Sequence, residues 1–193
     1  MKQFLKFLAV PIVAAVLGAG SFAVLIAVPY GNTVVNNGPW QADLAVGSVQ
    51  TGIYARSRTA LMGLFALRTS EAVYFIARAD SGGRPLESRC DYRIEGRDLP
   101  SRWWSVTALG WNFYLIPNEA NRYSFNSANV KRDPGGSYVI RLSSKKQEGN
   151  WLPSGSQKQG RINLNLRLYL PDEGVLKNPG AVVLPRIVRE GCI

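Results

Sequence analysis

The chain has 193 residues, of which 46% are hydrophobic and 19% charged, and its formal net charge is +10. This composition is typical of a chain that buries a core, and it excludes a wholly disordered protein. Two cysteines and no histidine exclude an iron–sulfur cluster, a disulfide-rich mini-protein, and the usual zinc, haem and Ser-His-Asp sites, so we expect no metal and no cofactor.

The first predicted element is a membrane-spanning helix over residues 7–29. This stretch carries no charge, and as a helix its 23 residues would be about 35 Å long, enough to cross a bilayer. Lys2 and Lys6 precede it, and the next basic residue is Arg56. The positive-inside rule therefore places residues 1–6 in the cytoplasm and the remainder in the periplasm of a bacterium, as a single-pass inner-membrane protein.

A cleaved secretory signal is the alternative for the same stretch, because Ser21 and Ala23 place small residues where a signal peptidase requires them. The apolar run is longer than the roughly 7–15 residues of a signal core. Cleavage after Ala23 would also leave the apolar sequence 24–28 at the new terminus. An uncleaved anchor is therefore the better interpretation.

Small residues recur at every fourth position of the predicted helix. Ala15, Ala19, Ala23 and Ala27 would line one face, as in membrane helices that pack against a partner helix. Alanine is also common in membrane spans without such a role, so a protein partner here is one of two possibilities.

The exported part keeps 21 basic and 13 acidic residues after Lys2 and Lys6 are subtracted, a net charge of +8. The basic residues are mostly single arginines that alternate with apolar residues, which is typical of solvated strand faces. In the periplasm, attraction to a membrane surface is a more direct consequence of this charge than nucleic-acid binding. We therefore expect no nucleic-acid partner.

The two cysteines are expected to form a disulfide, because the periplasm is an oxidising compartment. A Cys90–Cys192 disulfide would hold a C-terminal tail that otherwise frays. Two unrelated buried thiols are the alternative.

Residues 30–39 are polar and contain glycine and proline, which predicts a tether, and residues 40–193 form the predicted exported domain. Between Gly52 and Arg68 the apolar residues fall at helical spacing and oppose polar ones. This pattern predicts one amphipathic helix, packed on a sheet or lying on a membrane surface.

From residue 71 the apolar spacing changes to two, which predicts about seven short strands joined by glycine and proline turns. We expect residues 72–79 and 89–95 to form a hairpin, and 111–116 to form a strand. Residues 161–170 alternate most strictly, which predicts a buried leucine face and a solvated face with Asn163, Asn165 and Arg167. The pattern predicts a mainly β fold, an antiparallel β-sandwich or jelly roll with one helix.

Seven short motifs occur in an order that resembles the family catalogued as domain of unknown function 1214. They are Gly38-Pro39-Trp40, Ala55 to Leu67, Leu99 to Ser105, Asn121 to Ser124, Trp151 to Pro153, Arg167 to Pro171, and Cys192. The resemblance covers about residues 38–193. It implies a β-sandwich of jelly-roll type and no established reaction. At Ala108 to Trp111 the chain lacks an acid that similar sequences carry.

Four residues of these motifs are candidates for ligand binding. Trp103 and Trp104 offer flat surfaces for a sugar ring or an acyl chain, but neighbours in a strand point opposite ways, so only one of them can face outward. Arg122, next to Tyr123, is suited to pairing with an anionic group. The alternative for that segment is a turn in which Asn and Ser satisfy backbone groups.

The sequence offers no catalytic arrangement that stands out. An enzyme acting on an envelope glycan or ester would need paired carboxylates. The candidates are Asp80, Asp91, Asp98 and Glu119, of which Asp91 is expected on the solvated face of its strand. Asp80 lies in a glycine-rich turn, where we expect too little burial for a raised pKa. We therefore expect a non-catalytic module that binds a protein partner or an envelope or lipid-derived ligand, with an accessory subunit of a larger membrane complex as a third hypothesis.

Overall fold

In the computed structural model, ten strands and three α-helices occur in the described residues, which are 2–27, 33–48, 51–61, 67–156, 158 and 160–192. The helices are α1 (Lys2–Ala27), α2 (Ile53–Leu61) and α3 (Glu173–Lys177). The strands are β1 (Val34–Asn37), β2 (Trp40–Asp43), β3 (Ala72–Ala77), β4 (Cys90–Arg97), β5 (Ser101–Gly110), β6 (Ser124–Asn126), β7 (Ser137–Ser143), β8 (Asn150–Pro153), β9 (Ile162–Pro171) and β10 (Arg186–Cys192).

The strands form two sheets. One has six strands in the order β1-β2-β3-β9-β5-β6, and the other has four in the order β10-β4-β7-β8. Neighbouring strands are antiparallel except for β7 and β8, which are parallel. The prediction of a mainly β protein with two sheets is therefore confirmed, and the second sheet is mixed.

The core lies between the inner faces of the two sheets. Period-two alternation places Leu164, Leu166 and Leu168 of β9 on the inner side, each fully buried. The opposing sheet contributes Ile94 from β4 and Ile140 from β7, which are also fully buried. Each such side chain stabilises the fold by about 1.5–3 kcal/mol through the apolar surface it removes from water.

The other face of β9 does not follow the prediction. Asn163 and Asn165, expected in solvent, are fully buried, and Arg167 is half-buried. β9 lies between β3 and β5 in its sheet, and the Asn163 amide donates to the carbonyls of Gly110 and Trp111, so the turn that follows β5 lies against this face. The alternation correctly identified two faces, but both of them are covered.

Two further strand predictions are wrong. The segments 72–79 and 89–95 are not a hairpin, because β3 pairs with β2 and β9 while β4 pairs with β10 and β7 in the other sheet. Residues 111–116 form a turn, closed by a hydrogen bond from the Gly110 N–H to the Tyr114 carbonyl, and Phe113 adopts a φ of 65°. The aromatic residues there suggested a strand, but the chain reverses direction.

The segments before β3 agree with the prediction only in part. Four residues of the expected tether form β1, paired with β2. The amphipathic helix is present as α2, but Ile53 on its expected packing face is 73% exposed. Residues 62–66, which include Leu64 and Phe65 of that face, lie outside the described residues.

α1 forms where the membrane span was predicted. Every described side chain in it, from residue 9 to residue 24, is exposed, and these include Ala15, Ala19 and Ala23. The side chain of Ala27 and residues 28 and 29 lie outside the described part. None of the helices formed by the described residues is both long and apolar enough to count as a membrane span.

The C-terminal strand is held in two ways. Cys90 and Cys192 are cross-strand partners of β4 and β10 and form a disulfide, as predicted. Near the other end of β10, the Ile187 N–H donates to the Ser81 hydroxyl and its carbonyl accepts from the Ser81 N–H. The disulfide therefore adds a covalent link to a strand that hydrogen bonds also hold.

Replacing Cys192 by Ser should lower the free energy of unfolding by about 2–4 kcal/mol. The reason is that the disulfide closes a loop of 102 residues in the unfolded chain, and the chain-entropy model assigns at most ~4.7 kcal/mol to closing a loop of that length. Urea denaturation measures the change. Reductant should lower the stability of the wild type to that of the variant and leave the variant unchanged. A loss below about 1 kcal/mol would show that pairing in β10 supplies nearly all the stability of the C-terminus.

Candidate functional site

The outer face of the six-stranded sheet carries polar and aromatic side chains along its central strands. We call this surface the polar face and define it by eight residues: Tyr74 of β3, Trp103, Ser105 and Thr107 of β5, and Asn163, Asn165, Arg167 and Tyr169 of β9. These are alternate residues of their strands, so they share one side of the sheet.

The pairing register arranges these residues in rows across the sheet. Trp103 lies opposite Tyr169, and Thr107 lies opposite Asn165. Arg167 pairs with Ser105 on one side and with Tyr74 on the other. Since same-side residues of a strand are about 6.6 Å apart, the face runs from an aromatic end, through an arginine, to two asparagines.

The aromatic end is partly open to solvent. The rings of Trp103 and Tyr169 are in contact at 5.1 Å between centroids and tilted by 59°, and both side chains are half-buried. Trp104 points into the core, where it is 1% exposed. The expectation that only one of the two tryptophans faces outward is confirmed.

The asparagine end is buried and incompletely hydrogen-bonded. Neither the Nδ2 nor the Oδ1 atom of Asn165 has a hydrogen-bond partner in the described structure, and the same holds for Oδ1 of Asn163 and Nε of Arg167. By contrast, Nδ2 of Asn163 donates to the carbonyl of Gly110 at 3.0 Å. A buried polar group without a partner costs about 1–3 kcal/mol, so these atoms need an explanation.

The segment that leads into β3 approaches the polar face at Tyr74. The hydroxyl oxygen of Tyr74 accepts a hydrogen bond from the backbone N–H of Leu67 at 3.1 Å. Exposure on the face decreases along β9, from the half-buried Tyr169 and Arg167 to the fully buried Asn165 and Asn163.

Arg122 and Tyr123 are not part of this face. Asn118 holds both backbone groups of Arg122, accepting from its N–H and donating to its carbonyl. The Arg122 guanidinium lies over the ring of Phe125, 5.2 Å from the ring centre. Tyr123 accepts from the N–H of Ala108, about 16 Å along β5 from Trp103. These contacts match the alternative prediction for this segment, a turn in which a polar side chain satisfies backbone groups.

Asp80 was expected to be too exposed for catalysis, yet it is 1% exposed. Burial alone would raise the pKa of its carboxyl. Hydrogen bonds from the backbone N–H groups of Arg84 and Gly82 and from the Arg84 guanidinium hold the pKa below its usual value. Arg189 forms a second ion pair with it at 3.1 Å. Asp80 therefore joins the β3–β4 connection to β10 as a charged group.

Asp98 and Glu119 do not resemble an acid–base pair either. Two hydrogen bonds from the Arg132 guanidinium lower the pKa of Asp98, burial opposes this, and the Trp104 indole N–H also donates to it. Glu119 is exposed in a turn. A general acid needs a raised pKa, so Asp98 is suited to holding a charge and not to donating a proton.

The family comparison matches the chain over residues 71–173, more than half of its length, to a family described as protein of unknown function (DUF1214). The chain belongs to the DUF1214 family. The matched region begins just before β3 and ends just after β9, so every residue of the polar face lies within it. The resemblance is confirmed over residues 71–173, which contain four of the seven sequence motifs. The motifs at 38–40 and 55–67 and Cys192 lie outside the matched region.

Solved structures similar to this DUF1214 chain extend beyond its length. A crystal structure of a protein from Vibrio parahaemolyticus matches with a TM-score of 0.59 and 26% identity over 74% of this chain and 36% of that one. A putative uncharacterised protein from Burkholderia cenocepacia matches with a TM-score of 0.38 and 19% identity, over 62% of this chain and 29% of that one. The chain therefore spans about a third of the structures it matches. No curated protein matches it.

One end of the polar face was predictable from the sequence, and the other end was not. Trp103 stood out because tryptophan is rare and the motif around it is dense. Asn163 and Asn165 were assigned to solvent because alternation cannot distinguish a wet face from a buried polar one. The length of the alternating segment could have indicated that its second face is buried, because a ten-residue strand is more typical of the centre of a sheet than of its edge.

Replacing Asn165 by Leu should raise the free energy of unfolding by about 1–3 kcal/mol, because it removes buried donors and an acceptor that have no partner. Asn163→Leu is the matched control: it too removes an unpartnered Oδ1, but it loses the hydrogen bonds from Nδ2 to the carbonyls of Gly110 and Trp111, so it should be less stable than Asn165→Leu by about 1–2 kcal/mol. Urea denaturation of both variants measures the contrast. Equal destabilisation in the two variants would show that the Asn165 amide is satisfied in the folded protein.

Proposed function

We propose that the chain is a membrane-anchored periplasmic module that binds an envelope-derived ligand through the polar face, without catalysing a reaction. The observation that carries the proposal is the unpartnered, fully buried amide of Asn165 in line with a half-exposed aromatic pair. Native proteins rarely leave such groups unpaired, and a bound water, ion or ligand group would satisfy them.

The order of side chains along the face favours a ligand with a flat ring and hydrogen-bonding groups. Trp103 and Tyr169 supply apolar surface at the open end, on which a sugar ring stacks. Arg167 supplies donors to a carboxylate or hydroxyl, and Asn165 supplies both donors and an acceptor. An envelope glycan carries all of these groups, so it is the ligand class that the face fits best.

The membrane anchor belongs to the proposal. It is supported by the uncharged stretch 7–29 and by Lys2 and Lys6, which precede it. Within this stretch the structure describes the side chains of residues 9–24. Those side chains are exposed on all sides of α1, which favours burial in a bilayer or against another helix. The Cys90–Cys192 disulfide fits an oxidising compartment such as the periplasm.

A role as an accessory subunit of a membrane complex is the second candidate. It is favoured by one observation, the exposure of Ala15, Ala19 and Ala23 on α1, a stripe of small residues suited to helix packing. The jelly-roll connectivity implied by the family resemblance is likewise a proposal. It is supported by a six-stranded sheet in which β9 lies between β3 and β5.

Binding of the full-length protein to peptidoglycan sacculi tests the ligand proposal. In a sedimentation assay, Trp103→Ala should reduce the bound fraction at least tenfold, because it removes the stacking surface at the open end. Trp111→Ala is the matched control, since Trp111 is 53% exposed and follows β5 at its other end. Equal loss in both variants, or no binding by the wild type to sacculi or lipopolysaccharide, would contradict the proposal.

Topology is tested separately with alkaline phosphatase fused after Ile193, an enzyme that is active only outside the cytoplasm. The fusion should be active and should remain with the membrane fraction after washing in high salt, since an integral anchor is not released by screening of charge. An inactive fusion would place the C-terminal domain in the cytoplasm. Release of an active fusion into the soluble fraction would indicate a cleaved signal.

A further inference from the structure

The turn that follows β5 exposes three large apolar side chains. Residues 111–115 continue the chain past the last pair of residues in the β5–β9 ladder. Trp111 is 53% exposed, Tyr114 74% and Leu115 52%. Single exposed apolar residues are normal, but three of this size within five positions form a patch, and such patches mark contacts with a partner or a membrane.

Hydrogen bonds hold this turn in shape. The Gly110 N–H donates to the Tyr114 carbonyl, and the Phe113 N–H donates to the Gly110 carbonyl. The Tyr114 N–H donates to Oδ1 of Asn112 at 3.2 Å. Phe113 has a φ of 65°, a region that a bulky residue occupies only where the surrounding contacts enforce it. The apolar side chains are therefore presented on a preorganised turn, which loses little freedom on binding.

Two arginines from neighbouring strands contact the rings of the turn. The Arg161 guanidinium lies over the Trp111 ring, 5.6 Å from its centre, and the Arg78 guanidinium lies over the Phe113 ring at 5.5 Å. Arg161 directly precedes β9 and Arg78 directly follows β3. Because β3 and β9 are antiparallel, both arginines lie at the same end of the six-stranded sheet. Positive charge is therefore in direct contact with the aromatic side chains.

Further arginines lie beside Arg161, around Glu87. Glu87 is the partner of Arg161 in an isolated β-bridge, and its carboxylate accepts a hydrogen bond from Nε of Arg89 at 2.5 Å. That hydrogen bond lowers the pKa of Glu87 against the opposing effect of desolvation, and the charges of Arg189 and Arg161 lower it further. One carboxylate therefore has three guanidinium groups around it.

The charges in this part of the domain do not balance. Five arginines lie in the β3–β4 connection, residues 78–89, or beside its acids, and they are Arg78, Arg84, Arg89, Arg161 and Arg189. The connection has two acids, Asp80 and Glu87, and Asp91 is the next acid along the chain. Five arginines against three carboxylates leave a surplus of two positive charges.

The neighbouring acids on either side do not remove this surplus. Glu190 is paired with both Arg93 and Arg141, and Glu119 lies three positions before Arg122. Among the residues that the structure describes, the surroundings of the aromatic turn are therefore basic.

An anionic bilayer fits both properties of this surface. Trp and Tyr are the residues enriched at the boundary between lipid head groups and hydrocarbon. Arginines near that boundary are attracted to anionic head groups. A turn is also convex, so its side chains can enter a head-group layer, whereas a protein partner would have to supply a matching pocket.

We propose that the turn 111–115 is a membrane-docking surface, which inserts Trp111, Tyr114 and Leu115 among the head groups of an anionic bilayer. Arg89 and Arg161 lie beside the turn and contact the phosphates. The surface lies outside the eight residues of the polar face, so its failure leaves the glycan proposal unaffected.

Quenching of tryptophan fluorescence by brominated lipid tests the proposal on the full-length protein. The protein is reconstituted at a low protein-to-lipid ratio, which prevents contact with a second copy, into vesicles of dibrominated phosphatidylcholine with or without phosphatidylglycerol. The first tryptophan of the chain is Trp40, so quenching reports on the domain and not on α1. Quenching should be at least threefold stronger with phosphatidylglycerol, and high salt should reverse most of this difference by screening the charges.

Two tryptophan variants locate the contact. Trp111→Phe should reduce the quenching at least threefold because it removes the inserted fluorophore, whereas Trp103→Phe, at the aromatic end of the polar face, should leave it nearly unchanged. Tyr114→Asp should abolish quenching because it places a carboxylate among anionic head groups, and Tyr114→Phe should preserve it. Quenching that persists in Trp111→Phe, or that is equally strong in the two kinds of vesicle, would overturn the proposal.

Two double variants test the contribution of the arginines. Arg89→Gln with Arg161→Gln should reduce the quenching at least threefold. Arg97→Gln with Arg186→Gln is the matched control, because both residues are exposed and lie at the opposite end of the β4–β10 pair, and it should have little effect. Equal loss in the two double variants would overturn the proposal. Absence of quenching by vesicles with phosphatidylglycerol would also overturn it and would favour a protein partner for the turn.

Discussion

The position of β9 at the centre of the six-stranded sheet is the constraint on which the rest of the structure depends. β3 and β5 flank it along nearly its whole length, and from Ile162 to Tyr169 the side chains on both of its faces are buried or half-buried. The leucine face packs against the other sheet and builds the core. The second face carries Asn163, Asn165 and Arg167, each of which has a buried side-chain atom without a hydrogen-bond partner in the described part of the chain, and so forms a polar layer.

The two faces of β9 have opposite effects on the free energy of folding. Leu164, Leu166 and Leu168 contribute the burial of apolar surface, which favours folding by several kcal/mol in total. The unpaired amide of Asn165 costs about 1–3 kcal/mol. A protein that stabilised itself only through its core would carry an apolar residue there, and the polar residue is consistent with the ligand site proposed above.

The parts of the fold that depend on local patterning were predictable from the sequence. Alternation located β4, β5, β7 and β9, and the presence of two cysteines in a chain expected to be exported indicated the disulfide. The partners of each strand were not predictable, because β3 and β9 meet across about 90 residues of sequence and nothing local specifies that pairing. The same limitation hid the polar face: Trp103 and Asn165 are 62 positions apart, and only the β5–β9 register brings them together.

The side-chain amide of Asn165 tests the central claim most directly, since its two N–H groups give resonances in a ¹⁵N–¹H correlation spectrum that Asn165→Leu identifies by their loss. Soluble peptidoglycan fragments added to the full-length protein should shift these resonances and slow their exchange with water, with smaller changes at the Asn163 amide that is already bonded to Gly110. An Asn165 amide that remains unshifted while the Trp103 indole N–H responds would place the ligand at the aromatic end alone. It would contradict the account of the buried amide as part of the binding site.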